Sequence, residues 1–299
     1  MEHQNEKQTV REFWDTRDIF ASTIITKLDS VCRSDLVGRM RDCGTHETAL
    51  TCKNCGHCKV VTDRCERRWC PRCTPRLTRE RTEELSHWIP TLRQPKHVVL
   101  TCRNTDSLTR TMVRKFLQAI AKLRRTKFAR EVTPLWCYVG TRKLVSSHPW
   151  TSGTWAIEVT NESRGWHLHA HLLVESRWVD GAALAWEWAK QVGQKFSIVK
   201  VKDARCEDYL KEIAKYVVKS SELASWEAEE IAEFIVAFKG RRAFGVFGKL
   251  CGLRSQWKQD LRAVRDKRNR CKCGSNDFRM EDARIAELQE KDKRRLRHR

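Results

Sequence analysis

The chain has 299 residues, 40% of them hydrophobic, which is enough for a genuine core and excludes a disordered tail. Lysine and arginine outnumber aspartate and glutamate by 59 to 38, giving a formal charge of +21 and a pI near 9.7, so a polyanion, nucleic acid first, is the expected partner. The N-terminal MEHQNEKQTVREFW carries charge where a signal peptide needs an apolar run, and no stretch nears the roughly 18 apolar residues of a membrane span; a cytoplasmic protein with no membrane partner is expected.

Residues 1–40 place Phe13, Trp14, Ile19, Phe20, Ile24, Ile25 and Leu28 near helical spacing, predicting an N-terminal helical segment. Residues 41–85 are rich in cysteine. Seven of the 14 cysteines fall between Cys43 and Cys73, and in a reducing compartment such short spacings indicate metal rather than disulfides. Cys52-x2-Cys55-x2-Cys58 is followed by Cys65-x4-Cys70-Pro71-Arg72-Cys73, and two such knuckles satisfy tetrahedral Zn²⁺. Cys52, Cys55, Cys70 and Cys73 make the simplest set; Cys65 replacing one of them, and a second zinc, both stay open. The Cys-Lys-Cys-Gly run from Cys271 resembles half a zinc ribbon with no second half nearby in the chain. Arg67, Arg68, Arg72 and Arg76 are candidates for DNA phosphate contacts, against the alternative of a solvated face.

Pro90 and Pro95 mark a boundary, after which the pattern becomes one of strands and helices. HVVLTCRN reads as a buried strand. SLTRTMVRKFLQAIAKLRR reads as an amphipathic helix with Met112, Val113, Phe116, Ile120 and Leu123 inward. LWCYVGTRKLV, TWAIEVT and WHLHAHLLVE read as strands, followed by a helix over 181–192, a strand FSIVKVK and a helix over about 205–220. The expected organisation is a catalytic domain over 95–225 and a basic C-terminal extension over 226–299, whose residues from Arg254 hold 16 Lys/Arg against 8 Asp/Glu.

Side chains alternate along a strand, so His167, His169 and His171 project from one face while Leu168, Ala170, Leu172 and Val174 project from the other. In the preceding strand Trp155, Ile157 and Val159 share a face, with Glu158 opposite. If Asn161 pairs with Trp166, Glu158 sits across from His169 and both tryptophans face the core. Two histidines and a carboxylate would then bind a divalent ion, Mg²⁺ or Mn²⁺, with positions left open to polarise a phosphodiester. The alternative is three imidazoles turned to solvent or to their neighbours in the sheet. In the helix over 205–220, offsets of 3, 7 and 10 residues align Tyr209 with Glu212, Tyr216 and Lys219. A phenol there is a nucleophile once the phosphate is polarised, with Glu212 as a later base and Lys219 holding a phosphate oxygen.

HxHxH followed some 40 residues later by a KYxxK helix resembles the HUH endonucleases, in particular the plasmid rolling-circle replication initiators. HVVLTCRN is similar to the first motif of that family, WHLHAHLLV to the second and YLKEIAKYVVK to the third. RCERRWCPRC is similar to the cysteine element that precedes the nicking domain in these initiators and in related transposases. The resemblance implies an α+β fold with a ferredoxin-like central antiparallel sheet flanked by helices, and an N-terminal zinc-binding module. It assigns the nucleophile to Tyr216, the metal ligands to His169 and His171, and a terminating role to Glu212. His167 either supports the ligands or pairs with His169 in place of His171, and Tyr209 is read as packing. The implied activity is nicking of single-stranded or extruded origin DNA, leaving a 5′-phosphotyrosine and a 3′-OH primer, then rejoining the strand. Host helicase and replication machinery would be partners, because no GxxxxGK[ST] motif is present. A single-strand transposase of the same superfamily shares this chemistry. A non-enzymatic zinc-dependent DNA-binding regulator is the reading from another class.

Overall fold

The computed structural model describes residues 2–131, 133–139, 141–162, 164–204 and 222–282. The protein is α+β, with antiparallel sheets flanked by helices. Its centre is built from β3 (Pro95–Thr101), α4 (Arg110–Leu123), β6 (Ser152–Glu162), β7 (Gly165–Glu175), α6 (Gly181–Val192) and β8 (Val199–Asp203). This is a βαββαβ arrangement, and the strand order β8-β3-β7-β6 is the ferredoxin-like one. A fifth strand, β9 (Phe244–Gly248), extends the sheet beyond β6, so β7 with its histidines lies at the centre.

The periodicities of the sequence account for these elements. In α4 the inward stripe of Val113, Phe116, Ile120 and Leu123 is buried, and Thr109 caps the helix by accepting from the Met112 N–H. α6 starts at Asp180, which accepts from the Ala183 N–H, and stops at Gly193, whose φ of 69° suits a residue without a Cβ. α7 (Ala228–Phe238) carries a capping box between Glu227 and Glu230. These helices bury one sheet face, where Val98, Leu100, Leu168, Ala170 and Leu172 meet Phe116, Trp188, Ile231 and Ile235. Trp166 lies on that face, edge-on to Trp226 at 5.0 Å between ring centroids. Trp155 shares it. A Cβ on the cross-strand residue Gly245 would stand 2.5 Å from the Trp155 ring, so only glycine lets that ring lie across β9.

The N-terminal module comprises α1 (Glu2–Ser30), α2 (Gly38–Arg41), β1 (Glu47–Cys52), β2 (Cys58–Thr62) and α3 (Thr74–Trp88). The long helix α1 packs on α7, with Ile24 and Leu28 buried in the main core. Of residues 226–299, expected as an extension, those described, 226–282, are tied into both layers. β9 completes the central sheet, α8 (Leu250–Asn269) packs on α3, and β10 (Phe278–Asp282) joins β1 and β2 in a three-stranded sheet. LWCYVGTRKLV, expected as one strand, is instead the hairpin of β4 (Thr133–Val139) and β5 (Thr141–Ser147), a separate two-stranded sheet. Strand alternation does not by itself distinguish one long strand from two short ones. The helix expected over 205–220 lies outside the described residues. Among the described residues, no helix is long and apolar enough to cross a membrane.

Glu175, at the end of β7, fastens three segments. It accepts from the Arg93 N–H (3.0 Å) and the Thr151 hydroxyl (2.9 Å) and pairs with Lys249 (2.9 Å). Burial alone would raise its pKa, but the bonds from Lys249, Arg93 and Thr151 outweigh burial and hold it below its ordinary 4.5. The unfolded chain therefore takes the proton first, so the stabilisation is complete above pH 4.5 and is lost as pH falls through the lower folded value. Glu175→Gln should cost about 1–2 kcal/mol at pH 7, with little of it from the half-exposed lysine. Denaturant titrations at neutral and acid pH should show the variant and wild type converging on acidification; a constant gap would contradict this account.

Candidate functional site

The register of the central hairpin sets the site. Asn161 pairs with Trp166, and Glu158 with His169, which turns both tryptophans to the core. On the other side β3 pairs Thr101 with His169 and Val99 with His171, which puts His97 on the same face. β8 then adds the exposed Lys200 and Lys202, paired with Val99 and His97. The five-stranded sheet thus carries apolar residues on its helix-covered face and a row of imidazoles, a carboxylate and two ammonium groups on the other.

That second face is only partly covered. In β7 burial alternates up to Ala170, and every residue from Ala170 to Glu175 is buried. The change marks where Leu85 and Trp88 of α3 and Leu92 pack over Ala156 and Leu173. His171 stands at this boundary and is buried; His169 and His167 are half-buried. His171 Nε2 lies 3.0 Å from Glu158 Oε2, and its Nδ1 lies 3.3 Å from His97 Nε2. With the carboxylate ionised, His171 Nε2–H donates to Glu158 and its Nδ1 accepts from His97, so one hydrogen-bonded chain fixes both tautomers. The His167 and His169 rings are 4.0 Å apart. Burial, then the charge of His167, push His169 down to about 4, so it is a neutral imidazole with a free lone pair at pH 7.

His97 was not identified from the sequence. The signal for it was its position two residues before Val99 and four before Thr101, on the alternating face of β3. Tyr209, Glu212, Tyr216 and Lys219 lie outside the described residues. Among the described residues the histidine row does not bring three ligand atoms within 4.8 Å of one another; two cysteine clusters do. The donor types, two imidazoles and the Glu158 carboxylate side by side, are those a divalent ion takes, and His171 would have to exchange its present bonds to Glu158 and His97 to join them.

One cluster joins Cys43, Cys65, Cys70 and Cys73, and the other joins Cys52, Cys55, Cys271 and Cys273. The simplest sequence set, Cys52 with Cys55, Cys70 and Cys73, is therefore divided between two sites, and the Cys271 half-ribbon finds its second half at Cys52 and Cys55. Sulfur separations are 3.4 and 3.7 Å from Cys73 to Cys43 and Cys65, and 3.2 Å from Cys55 to Cys271. Four sulfurs at 2.3 Å from a central zinc would stand about 3.8 Å apart. Cys43, Cys70 and Cys73 are buried in the main core. Thiol hydrogen bonds from Cys65 and Cys70 hold Cys73 far toward the thiolate, and the Glu66 N–H assists. In the other cluster burial opposes ionisation of Cys52, but the Cys55 and Asn54 N–H groups and the facing thiols bring it to about 6. Thiolates are the form that ligates zinc.

The four candidate arginines have different surroundings. Arg72 pairs with Asp18 at 2.6 Å and donates to the Met40 and Cys43 carbonyls, fixing α2 to the first cluster. Arg76 pairs with Glu66 and Glu80. Both carry ion pairs within the protein. Arg67 lies over Trp69 at 5.2 Å and Arg68 over Phe238 at 4.3 Å.

A family model described as a transposase zinc-binding domain matches residues 12–102. The match spans α1 to β3 and includes all of the first cluster, while Cys271 and Cys273 lie beyond it. The matched model and the two thiol clusters together support structural Zn²⁺. No curated protein and no solved structure matched the chain.

Proposed function

We propose that this chain is a metal-dependent DNA nickase and strand transferase of the HUH type, with Tyr216 as nucleophile. The observation that carries this reading is the β6–β7 register, with Glu158 across from His169 and bonded to His171 on the central strand. The charge of +21 supports DNA as the substrate, and so does the match to a zinc-binding domain of transposases. His169, His171 and Glu158 would hold Mg²⁺ or Mn²⁺, with His167 beside them; the bound ion supplies polarisation of a non-bridging phosphate oxygen. In the reaction the Tyr216 oxygen bonds to phosphorus as the P–O3′ bond breaks. The phenol proton ends on the departing 3′-oxygen, giving a 5′-phosphotyrosine and a free 3′-OH. Glu212 and Lys219 assist as base and phosphate ligand, and the reverse transfer rejoins a strand.

Rolling-circle initiation, with a host helicase and a plasmid-like origin, and single-strand transposition use this same chemistry. The zinc-binding match is compatible with both, and the DNA substrate distinguishes them. Wild type and Tyr216→Phe are incubated with Mn²⁺ and a labelled pool of single-stranded oligonucleotides and resolved on a denaturing gel. A protein–DNA adduct with wild type and none with the variant is expected. Equal binding in both with no adduct anywhere would overturn the enzyme reading in favour of a zinc-dependent DNA-binding regulator. Sequencing the captured strands then separates origin from transposon ends.

A further inference from the structure

A cavity of 650 Å³ opens between α3, the segment entering β9, and α8. Six arginines and one lysine line it against three glutamates. Glu84 is taken by Arg81 and by Arg254 at 3.1 Å, while Glu66 and Glu80 are engaged by Arg76 from outside the lining. Seven cations against three carboxylates leave the lining with an excess of positive charge, which an anion with several acceptor oxygens would offset. Burial lowers Arg68 and Arg81 to about 10, and Lys258 is held down first by Arg254, then by burial and by Arg81. Arg81, Arg254 and Lys258 repel one another across the cavity.

The floor of the cavity ties it to the histidine row. Arg81 and Arg254 lie over Phe244 at 4.1 and 5.3 Å. Phe244 pairs with Ala156, and Ala156 with His171, so all three project from one sheet face. Two strand spacings separate Phe244 from His171, roughly 10 Å. Trp257, stacked on His87 at 4.8 Å, walls the cavity with an aromatic face.

We infer that this cavity is a second nucleic-acid subsite, gripping a backbone phosphate of the same single strand whose scissile phosphodiester lies at the histidine row. The inference rests on the DNA reading above and adds to it a clamp formed jointly by the zinc-binding module and α8. It gives that module a part in holding the strand, through Arg81 on α3, and it accounts for the excess of cations in the lining.

Arg242 and Lys258 are exposed, so reversing both should leave the fold intact. Full-length Arg242→Glu/Lys258→Glu is compared with Arg39→Glu/Lys195→Glu, the same charge change on exposed residues outside the cavity, by anisotropy of a labelled single strand over a salt series. The cavity pair should weaken binding about 10-fold or more and flatten the slope of log affinity against log salt by about 1–2, with a much smaller effect of the control pair. Equal weakening by both pairs, or none by either, overturns the subsite. Calorimetry with inorganic phosphate forms a second arm: binding as tight as that of the strand, lost in the cavity pair, would make this a free-anion site and also overturn the inference. Adducts are scored in the same samples. Cavity-dependent binding without any wild-type adduct sinks the nickase and leaves the subsite, whereas adduct formation with binding indifferent to the cavity pair does the reverse.

Discussion

His171→Ala and Glu158→Gln should each lower the rate of covalent adduct formation by roughly 10²–10³-fold, while single-strand affinity, set mainly by phosphate contacts, stays close to wild type. His171, buried like its neighbour His97, is bonded at 3.0 Å to Glu158, so either change dismantles the same pair. His169 is left as a neutral but isolated donor. His97 acts through His171 as a positioning residue. His97→Ala should lose about 10–100-fold, and the loss should be recovered at higher Mn²⁺ because it weakens ligand orientation rather than removing a ligand. Rapid-quench measurement of adduct against Mn²⁺ concentration checks all three. Full rates for His171→Ala and Glu158→Gln would remove this face from the chemistry.

The second large effect concerns zinc. Elemental analysis of the purified protein should find two zinc ions per chain, and Cys271→Ser/Cys273→Ser should retain one. Cys65→Ser/Cys73→Ser should also lose one, with a different consequence. Its site shares the core with Ile24, Leu28, Met40 and Trp69, and structural zinc contributes on the order of 10 kcal/mol to the folding of small domains. That variant should be insoluble or lack a cooperative N-terminal transition. The outer cluster instead joins the tip of the β1–β2 hairpin to the segment before β10. Its loss should leave the central sheet folded and expose residues 270–282 to protease. Two zinc ions in either double variant would break the assignment of ligands.

What the sequence determined by itself was local. The alternation of WHLHAHLLV put three imidazoles on one face of a strand, and pairing Asn161 with Trp166 was the register that would face Glu158 with His169 and turn Trp155 and Trp166 to the core, as the structure has it. The change from strand to helix periodicity after Thr101, and back to strand before Trp155, set out the alternation of elements, with LWCYVGTRKLV counted as one more strand that the structure sets apart from the βαββαβ sheet. These features are carried by contiguous residues, because backbone period and one-sided burial are properties of neighbours.

Only the tertiary structure decided which distant groups share a site. Cysteine spacing announced zinc but not the division of thiols, since Cys55 meets Cys271 across 216 residues while Cys43 meets Cys73 across 30. Loop-closure entropy grows only logarithmically with length, so a ligand far along the chain is almost as available as a near one and spacing alone does not choose between them. The same reason hid His97, which reaches His171 only through the β3–β7 pairing, and the place of β9 and β10 in the two sheets. It also decided the arginines. Four similar residues in one short segment are separated into an internal brace at Arg72, a surface ion pair at Arg76, a stacked side chain at Arg67 and a cavity cation at Arg68 by what the fold sets against each of them.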